Sequence, residues 1–162
     1  MKKVLSLISF ALIVLQSSAI NINDFKSCAQ SGDQDCQLLL GMCYYNGTGT
    51  SKNIAQAVVW FEKAASQGCM DAQTILGGLY YNGEGVTRDY DKAFKWLQKA
   101  AIQGDVNAEY LLGECYYMGR GTSRNYSQAI KWYQKAADQG NSNAKDRLKP
   151  LLRMVEDLKK QR

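Results

Sequence analysis

Apolar residues recur along the chain at the three- and four-residue spacing of an amphipathic helix, in short segments that end in glycine-rich stretches. One such segment runs from Asn107 to Tyr117, and its apolar positions are Ala108, Leu111, Leu112 and Cys115. Asn107, like Asp71 in the matching segment before it, has a short polar side chain that can accept free amide hydrogens of a first helical turn. The pattern predicts a helix, here termed helix A, that starts at these residues and ends in a turn at Gly119 and Gly121.

A second apolar stripe follows each helix A after a loop. In the segment from Tyr126 to Gly140 the stripe consists of Ala129, Trp132, Tyr133 and Ala136 or Ala137. Gly140 stands where a left-handed backbone conformation commonly ends a helix. This segment is the predicted helix B, and the single proline in the chain is consistent with an almost wholly helical protein.

The two segments repeat with a constant period. Gly41, Gly77 and Gly113 are 36 residues apart, and so are the three tryptophans Trp60, Trp96 and Trp132. The stretch LGMCYYNGTG, which begins at Leu40, is therefore a recurring helix end and turn, whereas a phosphate-binding loop would occur once and follow a strand. A glycine inside helix A costs about 1 kcal/mol relative to alanine, so its recurrence predicts that helix B approaches helix A closely there.

The repeated unit resembles the Sel-1-like repeat, a relative of the tetratricopeptide repeat with a longer loop between its helices. The second copy carries the pattern at Ala72, Leu76, Gly77, Tyr80, Gly83, Gly85, Lys92, Ala93, Trp96, Lys99, Ala100, Ala101 and Gly104. Gln56 and Gln128 replace the first of these lysines in the other copies, and Cys36 replaces the first alanine of the first copy.

This resemblance implies an all-α fold, a right-handed α-α superhelical solenoid of three helix-turn-helix repeats with a capping helix at each end. The expected boundaries are a signal peptide over 1–19, an N-terminal capping helix over 20–35, repeats over 36–69, 72–105 and 108–141, and a C-terminal capping helix over 142–162. At Pro150 the last helix is expected to kink or break. A stacked helix array of this kind typically binds a protein or peptide.

The first residues have the composition of a secretory signal peptide. Lys2 and Lys3 precede an apolar run from Val4 to Leu15, and Ala19 is a small residue at the expected cleavage position. The run is shorter than the roughly 20 residues that cross a bilayer, so no membrane anchor is expected after cleavage. The sequence therefore predicts a periplasmic or secreted bacterial protein, and its net charge of +5 forms no stripe of the kind that binds nucleic acid.

All five cysteines follow the predicted leader. Cys28 and Cys36 face each other across a short turn, where an exported protein favours a disulfide, and the cysteine-rich exported relatives have clamps at this spacing; two buried thiols are the alternative. Cys43 and Cys115 are expected in the core. Cys69 replaces a polar residue, so an exposed thiol that links two chains into a homo-oligomer is possible there. With no histidine in the chain, neither a metal site nor a cofactor is predicted.

The absence of histidine also removes the usual general base, so a non-enzymatic protein is predicted. The alternative is weak β-lactam binding or hydrolysis, which the resemblance to cysteine-rich relatives implies. A Ser-x-x-Lys match occurs from Ser142 to Lys145, but no Ser-Asp-Asn or Lys-Thr-Gly follows it. The match is better explained by chance or by the start of a helix.

Positions of helix A that the core does not use are spaced four and three apart and share one face. They are Leu38, Met42 and Tyr45, then Thr74, Gly78 and Tyr81, then Tyr110, Glu114 and Tyr117. Tyrosine is enriched in binding hot spots because it combines rigid contact area with a polar tip. We predict that this face binds the partner; the alternative is that the three recurring tyrosines pack against the next repeat.

Overall fold

The computed structural model describes residues 22–160, which form eight α-helices and no strand. The predicted leader, residues 1–19, lies outside the described residues. The helices are α1 Ile22–Gln30, α2 Gln34–Asn46, α3 Ile54–Ser66, α4 Met70–Asn82, α5 Tyr90–Ile102, α6 Val106–Met118, α7 Tyr126–Asp138 and α8 Ser142–Lys160. The predicted all-α solenoid is confirmed: α2, α4 and α6 are the A helices, and α3, α5 and α7 are the B helices.

Six helices follow an aspartate or asparagine whose side chain accepts a backbone N–H of the first turn; these residues are Asp33, Asn53, Asp89, Asp105, Asn125 and Asn141. The prediction that Asp71 and Asn107 open their helices was wrong. Asp105, two residues before Asn107, accepts the N–H of Ala108 at 2.7 Å, so α6 begins earlier. Cys69 occupies the same position before α4 and makes no side-chain capping bond.

Glycines end both kinds of helix, as predicted. Each A helix stops at a glycine with a left-handed backbone, for example Gly119 with φ 71°. The turn after α7 includes Gly140 with φ 98°, and its equivalents Gly68 and Gly104 also have positive φ. These turns send the chain back, so each helix packs against the one before it and the one after it.

The mid-helix glycines lie at the contact between an A helix and the B helix that follows it. A Cβ atom added to Gly77 would be 2.6 Å from the Leu97 side chain, and one added to Gly113 would be 2.6 Å from the Tyr133 ring. A Cβ atom added to Gly41 would likewise be 2.6 Å from the ring of Phe61. The predicted close approach is confirmed, because no side chain larger than hydrogen fits at these positions unless the facing side chain of the B helix shifts.

The last helix packs as a further A helix. Its residues Ala144 and Leu148 are buried, as are Ala108 and Leu112 one repeat earlier. The helix continues through Pro150 to Lys160, so the predicted break at this proline does not occur. Leu148 and Leu151, which lie on either side of it, are both buried at 6% exposure, and this packing holds the helix together although proline supplies no N–H.

A disulfide joins the first two helices, as predicted. The sulfur atoms of Cys28 in α1 and Cys36 in α2 are bonded, and the Cα atoms are 5.7 Å apart. Asp33 lies between them in the short turn and accepts the N–H of Cys36 at 2.8 Å. The bond thus ties the nine-residue helix α1 covalently to the first repeat.

Candidate partner-binding surface

The predicted partner-binding positions lie on the three A helices, and we call them the A-helix face. Seven of them are partly exposed: Met42, Tyr45, Thr74, Gly78, Tyr81, Tyr110 and Tyr117. Leu38 and Glu114 are buried, at 7% and 6% exposure. The expectation that these two side chains are free for a partner was wrong, since Leu38 belongs to the hydrophobic core and Glu114 is bonded inside the protein.

Glu114 connects the third repeat to the last helix. The Tyr133 hydroxyl donates a hydrogen bond to Glu114 Oε1 at 2.6 Å, and Arg147 Nε lies 2.9 Å from the same oxygen. Burial and the bond to the carboxylate raise the pKa of Tyr133, so the phenol remains a donor. Because Glu114 is bound to α7 and α8 at once, its carboxylate stabilises their arrangement.

Two of the three recurring tyrosines bind the loop of the next repeat. The Tyr45 hydroxyl donates a hydrogen bond to Glu84 Oε1 at 2.8 Å, and this bond raises the pKa of Tyr45. The Tyr81 hydroxyl instead accepts a hydrogen bond from Arg120 Nη1 at 2.5 Å, and its ring lies 5.5 Å from that of Tyr90. At these two positions the structure agrees with packing against the next repeat, so their hydroxyls are not available to a partner.

The third recurring tyrosine differs from the other two. The Tyr117 ring lies 5.6 Å from that of Tyr126, but within the described residues its hydroxyl has no hydrogen-bond partner. Tyr117 is partly exposed, and so is Tyr110, whose ring is 6.0 Å from that of Tyr133. The end of the A-helix face formed by α6 therefore keeps one free tyrosine hydroxyl.

The middle of the A-helix face has open space at Gly78, here called the hollow. A Cβ atom added to Gly78 would meet no heavy atom within 4 Å, in contrast to its neighbour Gly77. The equivalent positions in the other repeats hold Met42, which is partly exposed, and Glu114, which is buried. Four residues before Gly78, the buried Thr74 Oγ1 has no hydrogen-bond partner among the described residues.

Sequence reasoning missed the loop residues that fix this face. Glu84 and Arg120 are equivalent positions of two repeats with opposite charge, yet each binds a tyrosine 39 residues earlier. Comparison of equivalent positions could not reveal the contact, because the loop residue accepts a hydrogen bond in one repeat and donates one in the next. A search for polar residues 39 positions after each tyrosine, which is one period of 36 plus three, would have found both contacts.

The three free cysteines are buried. Cys43, Cys69 and Cys115 have 1%, 6% and 0% exposure. The expectation of an exposed Cys69 was wrong, because its side chain enters the core between the first and second repeats. Burial raises the pKa of all three thiols, that of Cys115 to about 12, so they are poor nucleophiles.

Among the described acidic and cysteine side chains, no set of three lies close together with its ligand atoms free to bind a metal ion. The sole cluster that places three such groups together is Cys28, Asp33 and Cys36. Both sulfur atoms of this cluster are used in the disulfide, and the Asp33 carboxylate caps α2. The arrangement is therefore structural.

The Ser-x-x-Lys residues lie at the start of α8. Ser142 and Lys145 are exposed and line a groove of about 390 Å³ between α7 and α8, together with Lys149 and Asp146. Within the described residues neither side chain of the pair forms a hydrogen bond. The capping residue is Asn141, whose Oδ1 accepts the N–H of Ala144 at 2.9 Å. A serine activated by a lysine would need a direct contact between the two.

Comparisons with known proteins match the repeats and the fold. The chain is 41% identical to a Sel1 repeat protein from Oxalobacter formigenes, with a TM-score of 0.72 over 80% of this chain and 97% of that one. It is 40% identical to c5321, a protective antigen of uropathogenic Escherichia coli with an SLR fold, with a TM-score of 0.73 over 78% of this chain and 27% of that one.

A curated relative is the secretory immunoglobulin A-binding protein EsiB of Escherichia coli O6:H1 strain CFT073. The two are 38% identical over 55 residues, which is 33% of this chain and 11% of EsiB. The chain thus spans about a tenth of the curated relative that it matches. Within residues 22–160, none of the helices combines the length and the apolar character that crossing a membrane requires.

The Sel1 repeat matches three consecutive segments, residues 34–69, 71–105 and 106–141, which together make up more than half of the chain. Each segment contains one A helix and the B helix that packs on it. Proteins built from this repeat are generally scaffolds for protein–protein interaction. The chain belongs to the Sel1 repeat family.

Proposed function

We propose that this protein is an exported bacterial scaffold that binds a protein or peptide partner along its A-helix face. The observation that carries the proposal is the hollow at Gly78, where the middle A helix has no side chain and open space lies over its backbone. A partner side chain placed there would contact the backbone of α4 directly. The neighbouring Tyr110 and Tyr117 supply partly exposed aromatic surface.

The surroundings of the hollow are held rigidly, which favours binding because little conformational entropy is then lost. The Tyr45–Glu84 and Tyr81–Arg120 hydrogen bonds link α2 and α4 each to the loop of the next repeat. The Glu114–Arg147 ion pair links α6 to α8. Tyr45 and Tyr81 are therefore held in fixed positions on the A-helix face. Met42 and Tyr117 are partly exposed and contribute the surface that a partner can contact.

Export is supported by two independent features. The chain begins with a segment of signal-peptide composition, and a disulfide joins Cys28 to Cys36. Disulfides persist in the periplasm and outside the cell, whereas the reducing cytosol removes them. The relatives c5321 and EsiB are bacterial proteins, and EsiB, a secretory immunoglobulin A-binding protein, has a ligand of the class proposed here.

The proposed function contains no catalytic step. Among the described residues the Ser142 hydroxyl has no hydrogen bond to a base, and the buried carboxylates Glu109 and Glu114 are bonded to Gln139 and to Tyr133. Labelling with a fluorescent β-lactam would overturn this part of the proposal if the label were lost in Ser142→Ala and kept in Lys149→Gln, a variant of the same groove.

The binding proposal is tested by filling the hollow. Gly78→Arg places a long side chain over the A-helix face and also removes a helix-interior glycine, which stabilises a helix by about 1 kcal/mol. We expect the purified variant to melt at or above the temperature of the wild type and to lose partner capture from periplasmic extract, culture medium or host-cell extract. The matched control is Ile102→Arg, since Ile102 is 71% exposed at the end of a B helix.

A further inference from the structure

The B helices carry a row of lysine amines that lie over tryptophan rings. Lys63 Nζ is 4.0 Å from the Trp60 ring centroid, Lys99 Nζ is 4.4 Å from that of Trp96, and Lys135 Nζ is 4.6 Å from that of Trp132. Each pair lies within one B helix, and the pairs are one repeat apart. The cation–π contact holds each amine in place, and within the described residues none of the three amines forms a salt bridge.

Two further lysines extend this row. Lys95 and Lys131 are equivalent residues of α5 and α7, and both are exposed. Within the described residues the salt bridges are Lys92–Asp89, Arg147–Glu114 and Lys149–Asp146, so none of the five lysines of the row has a carboxylate partner. We call Lys63, Lys95, Lys99, Lys131 and Lys135 the B-helix lysine row.

A groove runs between α3 and α5 beside the middle of this row. It has a volume of about 390 Å³ and is lined by Glu62, Lys92, Lys95, Trp96, Gln98 and Lys99. The single carboxylate in the groove, that of Glu62, accepts a hydrogen bond from the Tyr80 hydroxyl at 2.8 Å. Lys92 Nζ lies 3.9 Å from Oδ2 of Asp89, a residue that does not line the groove. Lys95 and Lys99 are therefore the amines that can pair with an anion there.

We infer that the groove between α3 and α5 binds an acidic polypeptide segment, with its carboxylates on Lys95 and Lys99 and its chain against Trp96. This site lies on the B helices and goes beyond the partner surface proposed for the A helices. A groove between two helices accommodates an extended chain, whereas a flat anionic bilayer would touch only its rims. The positive charge of the row supplies attraction along the length of the segment.

The test uses a fluorescein-labelled oligoglutamate peptide and measures its anisotropy with the mature, disulfide-bonded protein at low and at physiological ionic strength. We expect saturable binding that weakens as salt increases. Lys95→Gln with Lys99→Gln should weaken binding by about tenfold, the sum of two exposed charge pairs. The double substitution by arginine should retain binding, because it keeps both charges.

The matched control removes two charges elsewhere, at the exposed Arg153 and Lys160 of α8. Arg153→Gln with Lys160→Gln should change the affinity by about twofold at most. An equal loss in both double variants would overturn the inference, because the effect would then be one of net charge. Binding to phosphatidylglycerol vesicles without binding to the peptide would also overturn it. Circular dichroism melting of each variant excludes unfolding as the cause of a loss.

Discussion

Gln139 Nε2 donates a hydrogen bond to Glu109 Oε2 at 2.8 Å, at a position where the two earlier repeats pair glutamine with glutamine. In the second repeat, Gln103 donates to Gln73 Oε1 at 2.8 Å, and the Gln73 amide in turn donates to the carbonyl of Ala65 at 3.0 Å. A carboxylate at position 109 has no N–H with which to repeat this second bond. The third repeat therefore lacks one donor of an otherwise repeated network.

Replacing Glu109 by glutamine should stabilise the protein. The new amide would restore the donor toward the carbonyl of Ala101, the equivalent of Ala65, and would remove a charged group that is 3% exposed. A restored buried hydrogen bond contributes about 1 kcal/mol, which chemical denaturation can resolve. The reverse change in the second repeat, Gln73→Glu, should lower the free energy of unfolding by a similar amount. Equal stability of all three proteins would contradict this account of the network.

The same residue should make stability depend on pH. Burial raises the pKa of Glu109, and Asp105 adds to this effect, while the bond from Gln139 and the charge of Lys135 oppose it. A carboxyl group whose pKa is higher in the folded state favours folding when it is protonated. Its contribution is therefore present below the ordinary glutamate pKa and is lost as pH rises through the folded-state pKa. The Glu109→Gln variant should lack this pH-dependent contribution to stability. Melting temperatures of the wild type and the variant, measured from below the ordinary glutamate pKa to above the folded-state pKa, provide the comparison.

Two adjacent glycines should respond oppositely to alanine. At Gly77 the new Cβ would lie 2.6 Å from Leu97, so Gly77→Ala should destabilise by about 1–3 kcal/mol through overpacking. At Gly78 the new Cβ meets no atom within 4 Å, so Gly78→Ala should stabilise by about 1 kcal/mol through helix propensity. Thermal melts of the two variants provide the comparison. Similar shifts of the same sign would mean that the A and B helices do not meet at Gly77 as described.

Loss of the disulfide should weaken the N-terminal end of the solenoid. The bond closes a loop with a sequence separation of 8, and the chain-entropy model gives about 2–3 kcal/mol for short loops. Cys28→Ser with Cys36→Ser should lower the free energy of unfolding by this amount. Reduction of the wild type should have the same effect. The double change Cys43→Ala with Cys115→Ala is the control for thiol loss, and it should not alter the response to a reductant.

Repeated local patterns made the helices, their packing glycines and the disulfide predictable from sequence. The period brought Gly41 and Gly77 into equivalent positions, and only a close helix contact explains a recurring mid-helix glycine. The helix starts were misplaced because the capping residue lies two positions before Asn107. The burial of Cys69 escaped prediction because its neighbours in the core come from other repeats.

The state of the predicted partner-binding face was less predictable than the fold. The spacing placed seven positions on a partly exposed face of the A helices, but spacing does not distinguish a free tyrosine from one bonded to the following loop. Tyr81 and Tyr117 are equivalent in sequence, yet of these two only Tyr81 meets an arginine within the described residues. The open space at Gly78 likewise depends on which side chains surround it, and a periodic pattern does not report this.

Site-specific photo-crosslinking is the sharpest test of the proposal that partners bind at the hollow of the A-helix face. A benzophenone-bearing residue is placed at Gly78, at Tyr117 and, as the control, at Ile102, and each protein is irradiated with periplasmic, medium and host-cell extracts. We expect one common crosslinked partner from positions 78 and 117, suppressed by excess unlabelled wild-type protein and absent from position 102. The same partner crosslinked from position 102 but not from 78 or 117 would contradict it.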